Sequence, residues 1–180
     1  PGSHWQKGFA VARPVLEADG VVQTCCLKTH RYGGITMSLK NSVGMVAARP
    51  PGSNASYMTH LHTGDMDAMI AEINLAYEPD LVIMDGVDGF ISGGPARGEK
   101  VSPGVILAGT DRVAMDALGV AILKINGSKL PKVSDAFHLH NAIQLGIGAN
   151  HPEKIRILTG DEESADFAER VYGYLVEDWV

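Results

Sequence analysis

Lys28, Thr29 and His30 are consecutive, Arg31-Tyr32-Gly33-Gly34 follows at once, and Lys40, Asn41 and Gly44 lie a short stretch further on. These residue types suit one another chemically. Lysine supplies positive charge, asparagine orients a ligand through its amide, and histidine exchanges a proton near neutral pH. If an extended backbone runs through Lys28 and His30, they project to the same side about 6 to 7 Å apart, a span that an anionic ligand bridges. A short turn would bring Lys40 and Asn41 back beside them. The plainer alternative makes Lys28 and Lys40 solvated surface lysines and His30 the cap of a turn.

Asp85 and Asp88, with Gly86 and Gly89, follow the apolar run LVIMD. Carboxylates at the carboxyl end of a strand hold a divalent cation or accept a proton; aspartates in a turn bond their own backbone instead. The loop Gly93 to Gly98 offers backbone N–H groups and the Arg97 guanidinium to an anion, without matching a phosphate-loop or dinucleotide fingerprint. Asp111 reads as a helix start. Asp116 sits among Ala114, Met115, Ala117 and Leu118 and needs a hydrogen-bonded partner if it is buried. His60 and His62, expected in an extended loop, could face one way and bind zinc or another transition metal, with exposed loop histidines as the alternative. His138 and His140, expected on a helix, diverge by roughly 200°. No Gly-x-Ser-x-Gly elbow supports a serine hydrolase.

The elements that must position these groups follow from the apolar pattern. Residues 20–27 (GVVQTCCL) read as a mostly buried strand that ends where Lys28 begins, and in open α/β sheets ligands collect beyond the carboxyl ends of strands. A short helix is expected over 37–48, weakened by Gly44, and a surface loop over 49–64. Asp65 caps a helix over 66–77, ended by Pro79. LVIMD at 81–85 is a strand leading into a glycine-rich loop to Gly98, and 104–109 is the next strand. A helix capped by Thr110 or Asp111 runs to about 124, another spans 134–145 and closes at Gly146, KIRIL at 154–158 is a last strand, and 162–177 is a terminal helix. Strands alternating with helices predict an α/β fold: a mostly parallel open sheet flanked by helices, a Rossmann-like three-layer sandwich.

A length of 180 residues with 45% hydrophobic content supports one α/β domain over 1–180 with a full core. A net charge of −6 argues against non-specific nucleic-acid binding, which needs clustered positive charge. The apolar stretches fall short of the roughly 20 residues of a membrane span, and no secretory leader is recognisable, so a soluble cytoplasmic setting is expected. Beginning at Pro1, the chain reads as cut from a longer protein. Cys25 and Cys26 are adjacent and alone, so they form neither a disulfide framework nor a CxxC metal site, and as strand neighbours they point to opposite faces. A reactive thiol beside Lys28 is the other reading.

The segments ADGVVQTCCLKTH, TMSLKNSVG, LVIMDG, GGPARG and AGTDRVAMDALG occur in an order that resembles the family called domain of unknown function 362, over roughly residues 14–160. Members are often linked to ferredoxin-like segments carrying four-iron clusters, so the resemblance implies a redox setting. It also implies a strand-and-helix portion ahead of the Lys-Thr-His motif that this chain lacks, making the chain the carboxyl-terminal portion of a larger family domain. It places Asp111 and Asp116 in a family motif, with Asp116 supporting the loop of Lys28 or Lys40 through a buried ion pair. No cluster-binding segment occurs here, so no iron–sulfur cluster is expected on this chain alone.

The combined expectation is a redox-linked domain that binds a small anionic or metal-containing ligand at strand ends. In it Lys28 and Lys40 hold charge and His30 moves a proton. Thr29, Asn41, Asp85, Arg97, Asp111 and Asp116 bind or support. The alternative is a non-catalytic scaffold that docks a ferredoxin-like partner or a second copy of itself.

Overall fold

The computed structural model describes residues 3–5, 8–49, 52 and 56–179. Its sheet has five strands: β1 (Val22–His30), β2 (Gly34–Ile35), β3 (Leu81–Gly93), β4 (Gly98–Val101) and β5 (Val105–Gly109). β1 and β3 run parallel, from Val22 opposite Leu81 to Cys26 opposite Asp85. β2 folds back antiparallel on the end of β1. β4 and β5 run antiparallel along successive halves of β3, pairing Gly93 with Gly98 at one end and Val82 with Gly109 at the other.

Helices α1 (Arg13–Glu17), α2 (Ser38–Asn41), α3 (Tyr57–Thr63), α4 (Met66–Ile73), α5 (Arg112–Ile125), α6 (Phe137–Gln144) and α7 (Glu162–Glu177) complete the fold. α5 is the central helix. Asp111 caps it by accepting from the amides of Val113 and Ala114 at 2.8 and 3.0 Å, and it buries nearly all of its length. It packs with Leu27, Val82 and Met84 from the sheet, with Leu39, and with Val171 and Leu175 of α7. Each large aliphatic side chain so buried stabilises the fold by about 1.5–3 kcal/mol. A second cluster gathers Trp5, Tyr57, Leu61, Met69, Ile70 and Ile73, pinned where the Trp5 indole N–H donates to the Met69 carbonyl at 3.0 Å.

The sheet is open and mixed, rather than mostly parallel, because the glycine-rich stretch after LVIMD does not leave it. β3 continues through Gly86 and Gly89 and turns at 94–97 into a hairpin, so only one of its three neighbours is parallel. Burial alternates along β1, with Gln23, Leu27 and Thr29 inward and Val22, Thr24 and Cys26 outward. The outward face also carries Asp85, Val87 and Ile106, all exposed. Among the described residues the helices therefore cover one face of the sheet, giving two layers in place of the expected three.

Other elements shift as well. β1 extends to His30, so Lys28, Thr29 and His30 belong to the strand itself. The helix expected over 37–48 is one turn, α2, followed by a 3-10 turn over Ser42–Met45 that contains Gly44. The loop expected over 49–64 contains α3, capped by Ser56; residues 50–51 and 53–55 of it lie outside the described residues. KIRIL forms no strand pairing among the described residues. α7 spans the residues predicted for it, capped by Asp161.

Candidate functional site

The carboxyl end of β1 meets the β3–β4 hairpin on one side and the loop after α5 on the other. Between them lies a cavity of about 420 Å³, lined by Thr29, His30, Arg31, Ser92, Glu99 and Lys129 among others. The hairpin approaches closely. Gly94, with φ +82°, lies so near β1 that a Cβ there would overlap the Thr29 carbonyl oxygen, and only glycine meets both conditions. The Thr29 hydroxyl is buried and has no hydrogen-bond partner among the described residues. Ser128, on the opposite wall, donates to the Ile91 carbonyl at 2.6 Å.

His30 faces the other way from Thr29. Its Nδ1 accepts from the amides of Tyr32 and Gly33 at 3.2 and 3.0 Å, which places the proton of the neutral ring on Nε2. Burial, then the charges of Lys40, His62, Arg31 and His138, bring its pKa down to about 4. The ring is thus neutral at pH 7 and fixes the turn from β1 to β2. Lys40 lies alongside: a Cβ built at Gly33 would be 2.9 Å from Lys40 Cε and 3.6 Å from His30 Nδ1. Burial lowers the Lys40 pKa.

Lys40 is held there from below. Asp116 is fully buried and accepts from the amide of Ser38 at 2.7 Å, from the Ser38 hydroxyl, and from the amide of Leu39 at 3.1 Å. Burial raises its pKa against these hydrogen bonds. The expected buried ion pair is therefore a set of hydrogen bonds to the first turn of α2, the turn that carries Lys40. Asn41 is also committed to the scaffold, its amide donating to the Thr24 carbonyl at 2.8 Å.

The remaining candidates disperse. Lys28 and His30 share the outward face of β1, as strand alternation requires. Asp85 lies mid-strand and accepts from the Val87 amide at 3.0 Å, and Asp88 accepts from the Ser102 hydroxyl. Arg97 is exposed in the hairpin turn. Asp111 caps α5 and also accepts from the Ala149 amide at 2.7 Å. His60 and His62 sit on α3, not in an extended loop, so their side chains diverge. His60 packs edge-on against Trp5. Among the described residues no cluster of three or more His, Cys, Asp or Glu could hold a metal ion.

Sequence reasoning named Arg31 and His138 without giving either a site role, and did not single out Lys129. Arg31 and Lys129 carry no motif; only the approach of the 127–130 loop to β1 makes them neighbours of one cavity. His138 is fully buried, neither ring nitrogen has a hydrogen-bond partner among the described residues, and its Nδ1 is 3.7 Å from Asp67 Oδ1. The preceding Phe137 has φ 50° and lays its ring over Gly34.

The quoted motifs and their order coincide with a family model, Domain of unknown function (DUF362), that matches residues 1–121. The chain belongs to the DUF362 family. A curated relative, the thylakoid-associated protein sll1697 of Synechocystis sp. (strain ATCC 27184 / PCC 6803 / Kazusa), is 27% identical over 152 residues, covering 81% of this chain and 46% of the relative. This DUF362 chain thus spans about half the length of the curated relative it matches. No solved structure matches it.

Proposed function

We propose that this DUF362 domain binds a small anionic ligand in the cavity at the carboxyl end of β1. The observation that carries the reading is that Arg31 and Lys129 line one cavity together with Thr29, whose hydroxyl is buried and unpartnered among the described residues. A buried polar group left unpaired costs about 1–3 kcal/mol, and a ligand oxygen that met the hydroxyl on a turn of the Thr29 side chain toward the cavity would recover it. Arg31 offers a planar fork and Lys129 a point charge to the same space. Glu99 on the far wall repels an anion that fills the whole cavity, so the anionic group belongs at the β1 end. In this reading His30, neutral and tied to the turn, positions Arg31 rather than moving a proton. Lys28 and Lys40 add positive potential nearby.

Family resemblance to proteins linked with ferredoxin-like segments makes redox-linked anions the first class to screen. A relative named as thylakoid-associated adds a thylakoid setting to the cytoplasmic one for testing. Among the described residues no helix is long and apolar enough to cross a membrane.

The test is native mass spectrometry with elemental analysis on protein purified without oxygen or chelators, for the wild type and for Thr29→Val and Arg31→Ala/Lys129→Ala. A bound small anion present in the wild type and lost in both variants supports the reading. A ligand retained by both variants, or none in the wild type, counts against it.

A second reading, a docking scaffold, is favoured by the uncovered sheet face, where Val22 is 62% and Ile106 70% exposed. A ferredoxin-like partner or a second copy would cover it. A concentration-dependent dimer by sedimentation, abolished by Ile106→Lys, would favour the second copy.

A further inference from the structure

KIRIL has the sequence of a strand and the burial of one, yet among the described residues it pairs with no strand. Ile155 is buried and extended (φ −97°, ψ 116°), Ile157 is partly buried, and Arg156 and Leu158 point out, Leu158 being 75% exposed. This period-2 alternation belongs to a sheet with one covered face. β5 alternates in the same way, with Val105, Leu107 and Gly109 turned inward and Ile106 and Ala108 outward. β5 pairs with β3 along one edge, and among the described residues nothing pairs with its other edge.

Between the two lies a cleft of about 940 Å³. All of β5 forms one wall and residues 154–160 the other. Its floor is apolar, from Met115, Leu118 and Ile122 of α5 and Phe167 and Val171 of α7. Two extended segments with unpaired edges, facing each other over an apolar helical floor, are what a sheet looks like with one strand taken out. Among the described residues no ladder bond reaches the outer edge of β5 or residues 156–159, while the Ile155 N–H turns back to the Pro152 carbonyl at 2.8 Å, and strand addition supplies such ladder bonds.

We infer that this cleft seats one further β-strand, an extended segment with apolar residues at alternating positions that pairs with β5 on one side and with Ile155–Thr159 on the other. Its source is the part of longer relatives, such as the Synechocystis protein, that lies outside the region matched here. More than half of the Synechocystis relative lies there, ample to supply a strand. A second folded copy does not fit. If the β5 of one copy entered the cleft of another, the 155–159 wall of each would fall where the other's β3 already lies. With the strand in place, KIRIL becomes a ladder strand and the sheet grows from five strands to seven.

The experiment presents peptides of about ten residues, the upper length of an ordinary strand, tiling the unmatched part of the Synechocystis relative. Each is tethered to this chain through a flexible Gly/Ser linker, so that weak affinity is offset by effective concentration. Hydrogen–deuterium exchange is read at 105–109 and 155–159. The expected result is one peptide, or an overlapping pair, that slows exchange about tenfold or more in both segments, as new ladder bonds do, with the effect lost when its central residue is proline. Protection of neither segment by any peptide, or of one wall alone, would overturn the inference. So would protection that survives the proline.

Discussion

The Asp116 carboxylate lies beneath the first turn of α2 and accepts from the Ser38 amide at 2.7 Å, joining the central helix to the turn that carries Lys40. A fully buried carboxylate is tolerated here because three donors converge on it, two of them amides that a helix start leaves without partners. Replacing Asp116 by Ala strands those donors in a dry interior. We predict a loss of about 2–4 kcal/mol from the unsatisfied groups and the cavity. Asp116→Asn should lose less, since its amide retains an oxygen acceptor but turns a donor toward the third group. Urea unfolding of the three proteins checks the order; equal stability of Asp116→Ala and wild type would remove Asp116 from its positioning role.

Gly34 and Gly44 make a controlled pair. Gly34 has φ +65°, and a Cβ there would overlap the Phe137 ring, whereas a Cβ at the exposed Gly44 meets open space. Gly34→Ala combines backbone strain with overpacking and should cost about 2 kcal/mol or more. Gly44→Ala should be neutral or stabilise by about 0.4–1 kcal/mol, through the unfolded chain. Thermal unfolding of both variants decides it, and similar midpoints would mean that Phe137 can move away at little cost.

The elements most legible in the sequence were those specified locally. α7 begins at a capping aspartate and carries its own apolar stripe, and α5 follows the Asp111 cap, so both could be read without knowing their neighbours. The sheet was less legible because strands depend on partners. Gly86 and Gly89 suggest a loop by composition, but β5 pairs up to Gly86 and β4 from Gly89, so β3 continues through them with a bulge against β1, moving Asp85 from a strand end to its middle. KIRIL errs in the opposite sense: its pattern is right and its neighbour is missing. At the candidate site, Thr29 and His30 stood out in the sequence because the polar run follows directly on an apolar strand pattern. Arg31, named in that run, and Lys129 drew no role, since only tertiary approach brings them to one cavity.

Cys25 and Cys26 should differ sharply in reactivity although they are adjacent. Strand alternation turns Cys25 toward the core, where burial, then the charge of Asp116, pushes its thiol well above the ordinary range. Cys26 is exposed on the uncovered face. The thiolate is the reacting species, so maleimide at neutral pH should label Cys26 in the native protein and Cys25 only after denaturation. Peptide mapping by mass spectrometry reads both sites at once. Rapid native labelling of Cys25 would mean that the helical layer over β1 opens easily.

His30 predicts a pH dependence with a definite sign. Its pKa falls from 6.5 in the free side chain to about 4 in the fold, through burial and then the neighbouring cations. Between those values the unfolded chain binds a proton that the folded chain does not, so stability rises with pH across the window. The contribution is fully present above pH 6.5 and is lost as pH falls toward about 4. The two amides donated to Nδ1 act in the same direction, since protonation would put a third donor against them. Titration of the ring by NMR should show a neutral Nε2–H tautomer at pH 7 and protonation near pH 4. His30→Asn, which can still accept from the turn amides, should lower the slope of unfolding free energy against pH between 4 and 6.5 by up to one proton's worth. A ring that protonates near 6.5, with an unchanged slope in the variant, would release Nδ1 from the turn and return His30 to the set of groups able to move a proton at neutral pH.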